Sequence, residues 1–216
     1  PKTLYKINNT PIIIRILKKV KHIDKNPTII VSKKGAKLIK NCLNDYNFKS
    51  ELITQENPKG MGNAILQYKK SKFYNKFDNI LLLWGDLPFI YKKTINNLVK
   101  NYFKNNSYLT LVTGIQKNPY TLIMRDRDLN IYKINESRKK KLNVINGERD
   151  IGVFLFKKNL LTYLLKYKKY DTIDDKREHN FLYIVNILYK KNFLINHSMI
   201  SNKKEFVSFN SLRDKS

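Results

Sequence analysis

The run Ile80–Trp84, I-L-L-L-W, constrains this chain more than any other stretch. An unbroken apolar run leaves no face for water. It reads as a strand covered on both faces of a parallel sheet. Gly85 bounds it, Asp86 follows, and Pro88 ends the stretch. In open α/β sheets, ligands bind just outside the carboxyl ends of strands. Asp86 is therefore a candidate metal or substrate ligand. Aspartate is also common at turns and helix caps, so a cap before a helix over Thr94–Tyr102 is the alternative.

Around this run, strands and helices alternate. Leu4–Ile7 leads to the turn Asn8-Asn9-Thr10, and Pro11 opens a helix over Ile12–Val20, as proline does at a first helical position. Strands are predicted over Thr28–Ser32, Lys49–Thr54, Leu109–Thr113, Ile151–Phe156 and Phe193–Met199. Helices are predicted over Ala36–Leu43, Asn63–Lys70, Leu160–Leu165 and Phe181–Tyr189. Tyr120–Met124 and Ile131–Ile134 pair as a hairpin, Ser137–Lys141 is a basic loop, Tyr170–His179 a polar loop, and Ser211–Asp214 a last turn. This order predicts an α/β, Rossmann-like three-layer sandwich with a mostly parallel mixed sheet and right-handed crossovers. Gly60 and Gly62 stand at a helix start. That arrangement suits backbone N–H groups approaching an anion, or simply close packing.

The chain has 216 residues, enough for one domain with a real core. Its single cysteine, Cys42, excludes a disulfide framework and a cysteine zinc site, and reads as a buried thiol near Leu38 and Leu43. No apolar run has the length of a membrane span, and no secretory leader opens the sequence; the cytoplasm is the expected compartment. The formal net charge is +26. Such an excess attracts polyanions and nucleoside triphosphates. The lysines, however, are spread along the whole chain beside many Asn, Ile and Tyr residues, the set that A/T-rich codons write. Nucleic acid is not the expected partner. His22, His179 and His197 lack metal-ligand spacing and read as surface or core residues.

Five stretches fall in the order and at about the spacing of one family: P-K-x-L at Pro1–Leu4, Q-E-x-x-x-G-x-G-x-A at Gln55–Ala64, G-D-x-P at Gly85–Pro88, G-V-x-x-F at Gly152–Phe156 and E-x-x-x-F-N at Glu205–Asn210. The chain resembles the sugar-phosphate nucleotidyltransferases, above all the uridylyltransferase domain of N-acetylglucosamine-1-phosphate uridylyltransferase. The resemblance implies attack of a sugar 1-phosphate oxygen on the α-phosphorus of UTP, with release of pyrophosphate. It also implies Mg²⁺ held by Asp86 and Asn210, and a phosphate-binding lysine at Lys2. Gln55 would read the uracil edge, with Gly60 and Met61 closing on the base. Thr121, Glu136 and Asp150 would line the sugar pocket. Transfer to an already anionic phosphate asks for charge neutralisation and in-line positioning rather than an acid–base pair.

The sequence departs from the family pattern at several points. Family members carry a strand and a glycine-rich loop, L-x-A-G-x-G-T-R-M, before P-K; here nothing precedes Pro1. A trimmed start is therefore expected, with a slot in the sheet where that strand would lie and poor activity of the chain as given. Met61 stands for a threonine, Thr121 for a glycine, Asp150 for an asparagine and Tyr183 for an aspartate. These leave other acceptors open: a polyol phosphate, choline phosphate or molybdopterin. An inactive basic homologue that binds polyanions is the non-enzymatic alternative.

Overall fold

The computed structural model describes residues 1–136, 144–173 and 176–209. A short turn, Lys2–Leu4, leads into the hairpin β1 (Lys6–Ile7) and β2 (Thr10–Pro11). Asn8 and Asn9 both take positive φ, 48° and 60°, the backbone that a two-residue hairpin turn requires. In α1 (Ile12–Val20), Ile12, Ile13, Ile16, Leu17 and Val20 are buried, as their helical spacing predicts. Next, β3 (Thr28–Ser32), α2 (Lys33–Asp45) and β4 (Glu51–Gln55) form a parallel β-α-β unit. Cys42 is buried on α2 beside Leu43, whereas Leu38 faces solvent.

α3 (Met61–Leu66) begins directly at the glycine loop. It precedes β5 (Asn79–Leu83), the strand of the apolar run, and α4 (Lys92–Lys104). β6 (Leu109–Lys117) runs past its apolar part. The hairpin β7 (Thr121–Arg125) and β8 (Ile131–Glu136) forms as expected. β9 (Asn146–Lys157) starts well before its own apolar run. Then come α5 (Leu160–Lys166), β10 (Tyr170–Ile173), β11 (Lys176–His179), α6 (Ile184–Lys190) and β12 (Ile195–Met199). The stretch Tyr170–His179 is thus not a loop but an antiparallel hairpin, with Tyr170 opposite His179. Backbone pairing builds it, and apolar alternation does not announce it. The stretches read as a basic loop (137–141) and a last turn (211–214) lie outside the described residues.

The central sheet has the order β12-β6-β9-β5. β12 and β6 are parallel, while β9 runs antiparallel to both β6 and β5. A parallel neighbour needs a crossover, usually a helix; among the described residues between β6 and β9 there is a hairpin and no helix. This is the α/β class expected, with the mixing placed at β9. Both faces of the sheet are covered. Ile151, Val153 and Leu155 of β9 join the cluster beneath α1, α2 and α4, and Phe154 and Phe156 join the one beneath α5 and α6. β5 alternates in the same way: Leu81 and Leu83 pack to one side, Ile80 and Leu82 to the other. The run is covered on both faces as read, but its partner is antiparallel.

Among the described residues, the β3–β4 pair is not hydrogen-bonded to the central sheet. Consecutive residues of β3 (Thr28–Ser32) and of β5 (Leu81–Leu83) line one cavity of about 990 Å³. Successive side chains of a strand point to opposite faces, so consecutive lining means that two strand edges meet the void. Among the described residues, no helix is long and apolar enough to cross a membrane.

Candidate functional site

From the channel between β3 and β5 the cavity continues to the end of β5, where Gly85 and Asp86 stand in its wall. Trp84 anchors that end. Its backbone N–H donates to the Gly152 carbonyl at 3.0 Å. Gly152 has φ +81°, and a Cβ there would come within 2.4 Å of the Trp84 ring. The glycine of the G-V-x-x-F run is thus required by both its backbone and its neighbour. From the other side, Phe209 donates its backbone N–H to the Asp86 carbonyl at 3.0 Å. The C-terminal segment therefore docks on the strand end that carries Asp86. Asn210, the next residue, lies outside the described residues.

Glu205 fixes that docking. Its carboxylate accepts N–H bonds from Tyr91 at 3.0 Å, Ser201 at 2.8 Å and Asn202 at 2.9 Å, and the Thr94 hydroxyl at 2.8 Å. The acid of the E-x-x-x-F-N motif is 1 % exposed and ties the start of α4 to the last segment.

The Lys2–Leu4 turn covers Gly85 on its remaining side: a Cβ at that glycine would lie 2.9 Å from the Thr3 methyl. Lys2 is exposed, and its charge reaches Asp86. Burial pushes the Asp86 carboxyl above the ordinary aspartate range; its own backbone bond and the charges of Lys2 and Arg149 oppose this without cancelling it. Lys2 and Asp86 are thus brought together.

On one flank of the cavity lies the glycine loop. Gly60 has φ +88° and opens α3; Met61 lines the cavity. A Cβ on Gly60 would come within 2.7 Å of the His179 backbone nitrogen, and one on Gly62 within 2.8 Å of the His179 ring. His179 also donates its N–H to the Lys59 carbonyl at 2.6 Å. Of the two readings of the glycine pair, close packing is the one this contact supports: β11 is seated on the loop. Gln55, at the end of β4, donates its amide to the Asn63 side chain at 2.7 Å and is not part of the cavity wall.

Thr121 and Glu136 also line the cavity. Thr121 is 1 % exposed and donates its hydroxyl to Asp150 at 2.7 Å. Glu136 accepts from the Asn180 amide at 3.1 Å. Asp150 stands behind this wall, fully buried, with its second oxygen accepting the Gly152 N–H at 3.1 Å. Burial raises its pKa; the Thr121 bond, Arg149 and the Gly152 bond pull the other way. Asp150 therefore supports Thr121 rather than facing the cavity.

Two wall residues were missed in the sequence. Arg149 lies in the polar E-R-D that precedes the apolar part of β9. His179 reads as an ordinary surface or core residue. It is indeed buried, yet it lines the cavity, and its Nε2 has no hydrogen-bond partner. Burial, then the charge of Lys168, hold its pKa below the usual histidine value. Nothing in the local pattern marks either one.

The fold is shared with solved nucleotidyltransferase structures. A putative glucose-1-phosphate thymidylyltransferase from Bacillus anthracis superposes with a TM-score of 0.75 at 17 % identity, over 93 % of this chain and 78 % of that one. An apo UDP-glucose pyrophosphorylase gives 0.73 at 12 % identity, over 100 % and 91 %. Among curated relatives, the bifunctional protein GlmU of Thermosipho melanesiensis is 30 % identical over 74 % of this chain and 34 % of its own length. The GlmU of Thermodesulfovibrio yellowstonii is 26 % identical over 98 % of this chain and 46 % of its own. The chain spans between about a third and a half of the length of these relatives. The resemblance read from the five stretches holds. Residues 1–167 match the model of the MobA-like NTP transferase domain, and the chain belongs to that family.

Proposed function

We propose that this domain transfers a nucleotidyl group from a nucleoside triphosphate, UTP by the resemblance, to a sugar 1-phosphate, N-acetylglucosamine 1-phosphate foremost, giving a nucleotide sugar and pyrophosphate in the cytoplasm. The observation that carries this is the position of Asp86. It stands at a strand end in a cavity wall, within electrostatic reach of Lys2, and Met61, Thr121 and Glu136 line the same cavity. A triphosphate and a phosphorylated acceptor can meet there.

Mg²⁺ takes one or two protein oxygens and otherwise keeps waters and phosphates. Among the described residues, no group of three or more His, Cys, Asp or Glu side chains is placed to hold a metal. A partly buried carboxylate in the cavity wall suits such an ion. Asp86 would hold it, with Asn210 as the second ligand. Bound there, the ion would neutralise phosphate charge. Lys2 adds a second positive charge on the same side. Met61 and Gly60 bound the base site, and Glu136 faces acceptor hydroxyls. The attacking phosphate oxygen is already ionised, so no side chain has to remove a proton.

The same reading assigns the channel between β3 and β5 to a further strand and phosphate loop preceding Pro1. The two unpaired edges that line the channel support this. The test is a pyrophosphate-release screen of UTP, CTP, GTP and dTTP against sugar, polyol and choline phosphates, using protein extended upstream of Pro1. Mg²⁺-dependent release with UTP and a sugar 1-phosphate is expected. In that protein, Asp86→Ala should lower turnover about a hundred- to a thousandfold, as loss of a main electrostatic element does. Unchanged turnover removes Asp86 from the metal site. Release only with another acceptor would move the assignment within the family.

A further inference from the structure

Among the described residues, Arg149 is the one strongly basic side chain buried in the wall of this cavity; it is only 6 % exposed. It sits on β9 opposite Gly114 of β6. Its guanidinium lies 4.0 Å from the centre of the Tyr120 ring and 5.7 Å from that of Phe206. Phe206 reaches it across Gly114, where a Cβ would come within 2.5 Å of the Phe206 ring. Two bonds hold it in plane: Nε donates to the Asp150 carbonyl at 2.9 Å, and Nη1 to the Gln116 side-chain oxygen at 2.8 Å.

Both acceptors are neutral. Among the described residues, no carboxylate lies within ion-pair distance of Arg149, though its charge acts on Asp86 and Asp150 at longer range. A buried cation without an anion in contact is costly. Here a glycine, two rings and an amide position it, and its Nη2 makes no hydrogen bond among the described residues. Guanidinium forks bind phosphate oxygens in pairs, and aromatic faces hold the fork flat. Arg149 adjoins Gln116, Tyr120 and Asp150, and Asp150 in turn holds Thr121, so the guanidinium lies on the Thr121 flank.

We propose that Arg149 binds the phosphate of the acceptor, fixing the nucleophilic phosphate on the Thr121 flank of the cavity within the electrostatic reach of Asp86. The proposal deepens the nucleotidyl-transfer reading and rests on it for the identity of that phosphate as the acceptor's.

The test separates the two. Binding comes first, on the chain as given, by titrating wild type and Arg149→Met with inorganic phosphate and with N-acetylglucosamine 1-phosphate, each against unphosphorylated N-acetylglucosamine. Arg149→Met should weaken both phosphates at least about tenfold, the value of a charge-assisted bond, and leave the bare sugar unaffected. Arg149→Lys should recover part of the loss, since it keeps the charge without the fork. Wild-type arginine N–H resonances should shift on adding phosphate, which reads the contact even if Arg149→Met fails to fold. Turnover comes second, on the upstream-extended protein. The acceptor KM should rise at least about tenfold in Arg149→Met and the nucleotide KM stay constant. Phosphate affinity equal in wild type and variants, or no resonance shift in wild type, would overturn the proposal. Arg149-dependent phosphate binding without turnover on any nucleotide would sink the transfer reading and leave the phosphate site standing. Turnover with an unchanged acceptor KM would do the reverse.

Discussion

At the residue scale, Asp86 pays for its position. Its folded pKa is raised mainly by burial. The folded state therefore holds a proton that the unfolded chain has released, so the residue favours folding at low pH and opposes it at neutral pH. Asp86→Asn should raise Tm at neutral pH while lowering turnover, and the gain should vanish as pH falls below the ordinary aspartate range. Thermal melts at a series of pH values check this. Glu205 is the opposite case. Its removal leaves three N–H groups and a hydroxyl without their acceptor, and Glu205→Ala should cost about 3 kcal/mol by denaturant melt. Asp86 was legible because an acid ends an apolar run. Glu205 was legible as a letter in a motif, but its tie to α4 was not, since Tyr91 and Thr94 lie more than a hundred residues away.

At the element scale, the glycine loop, α3 and the β10–β11 hairpin act together. Gly62→Ala gains up to about 1 kcal/mol of helix preference but sets a methyl against the His179 ring. That ring is backed by Tyr170, with centroids 5.3 Å apart. Overpacking of this kind costs about 1–3 kcal/mol, so Gly62→Ala should lower Tm and raise the nucleotide KM. The double variant Gly62→Ala with His179→Ala should be less unstable than the two single effects added. His179 also sets a pH response. Its folded pKa is depressed, so the unfolded chain takes up the proton first and stability falls as pH drops through the usual histidine range. His179→Phe should flatten that slope in melts between pH 7 and 5, taken as approximate bounds of that range. The alternating strands and amphipathic helices were legible because burial writes a period of 2 or 3.6 into the sequence. The hairpin was not, because main-chain bonds leave no such period. The reversal at β9 was not either, because strand direction is set by what lies between strands.

At the scale of the whole molecule, the +26 charge is written over the exterior rather than into one patch. Most of the described lysines lie on exposed positions, spread along the chain. Diffuse charge gives non-specific attraction that fades steeply with salt. A duplex DNA shift seen at low ionic strength should therefore be lost near 0.15 M salt, roughly the physiological value, and a gel-shift salt series reads it. The contact between His179 and the glycine loop has a consequence for how the molecule is made. Gly60 and Gly62 leave the ribosome well before Glu178 and His179, whose surface seats them. Contacts so distant in sequence close late, after the entropy of a long loop has been overcome. The glycine-loop side of the cavity is thus among the last parts to assemble, and a nascent chain can build much of its core before that wall is closed.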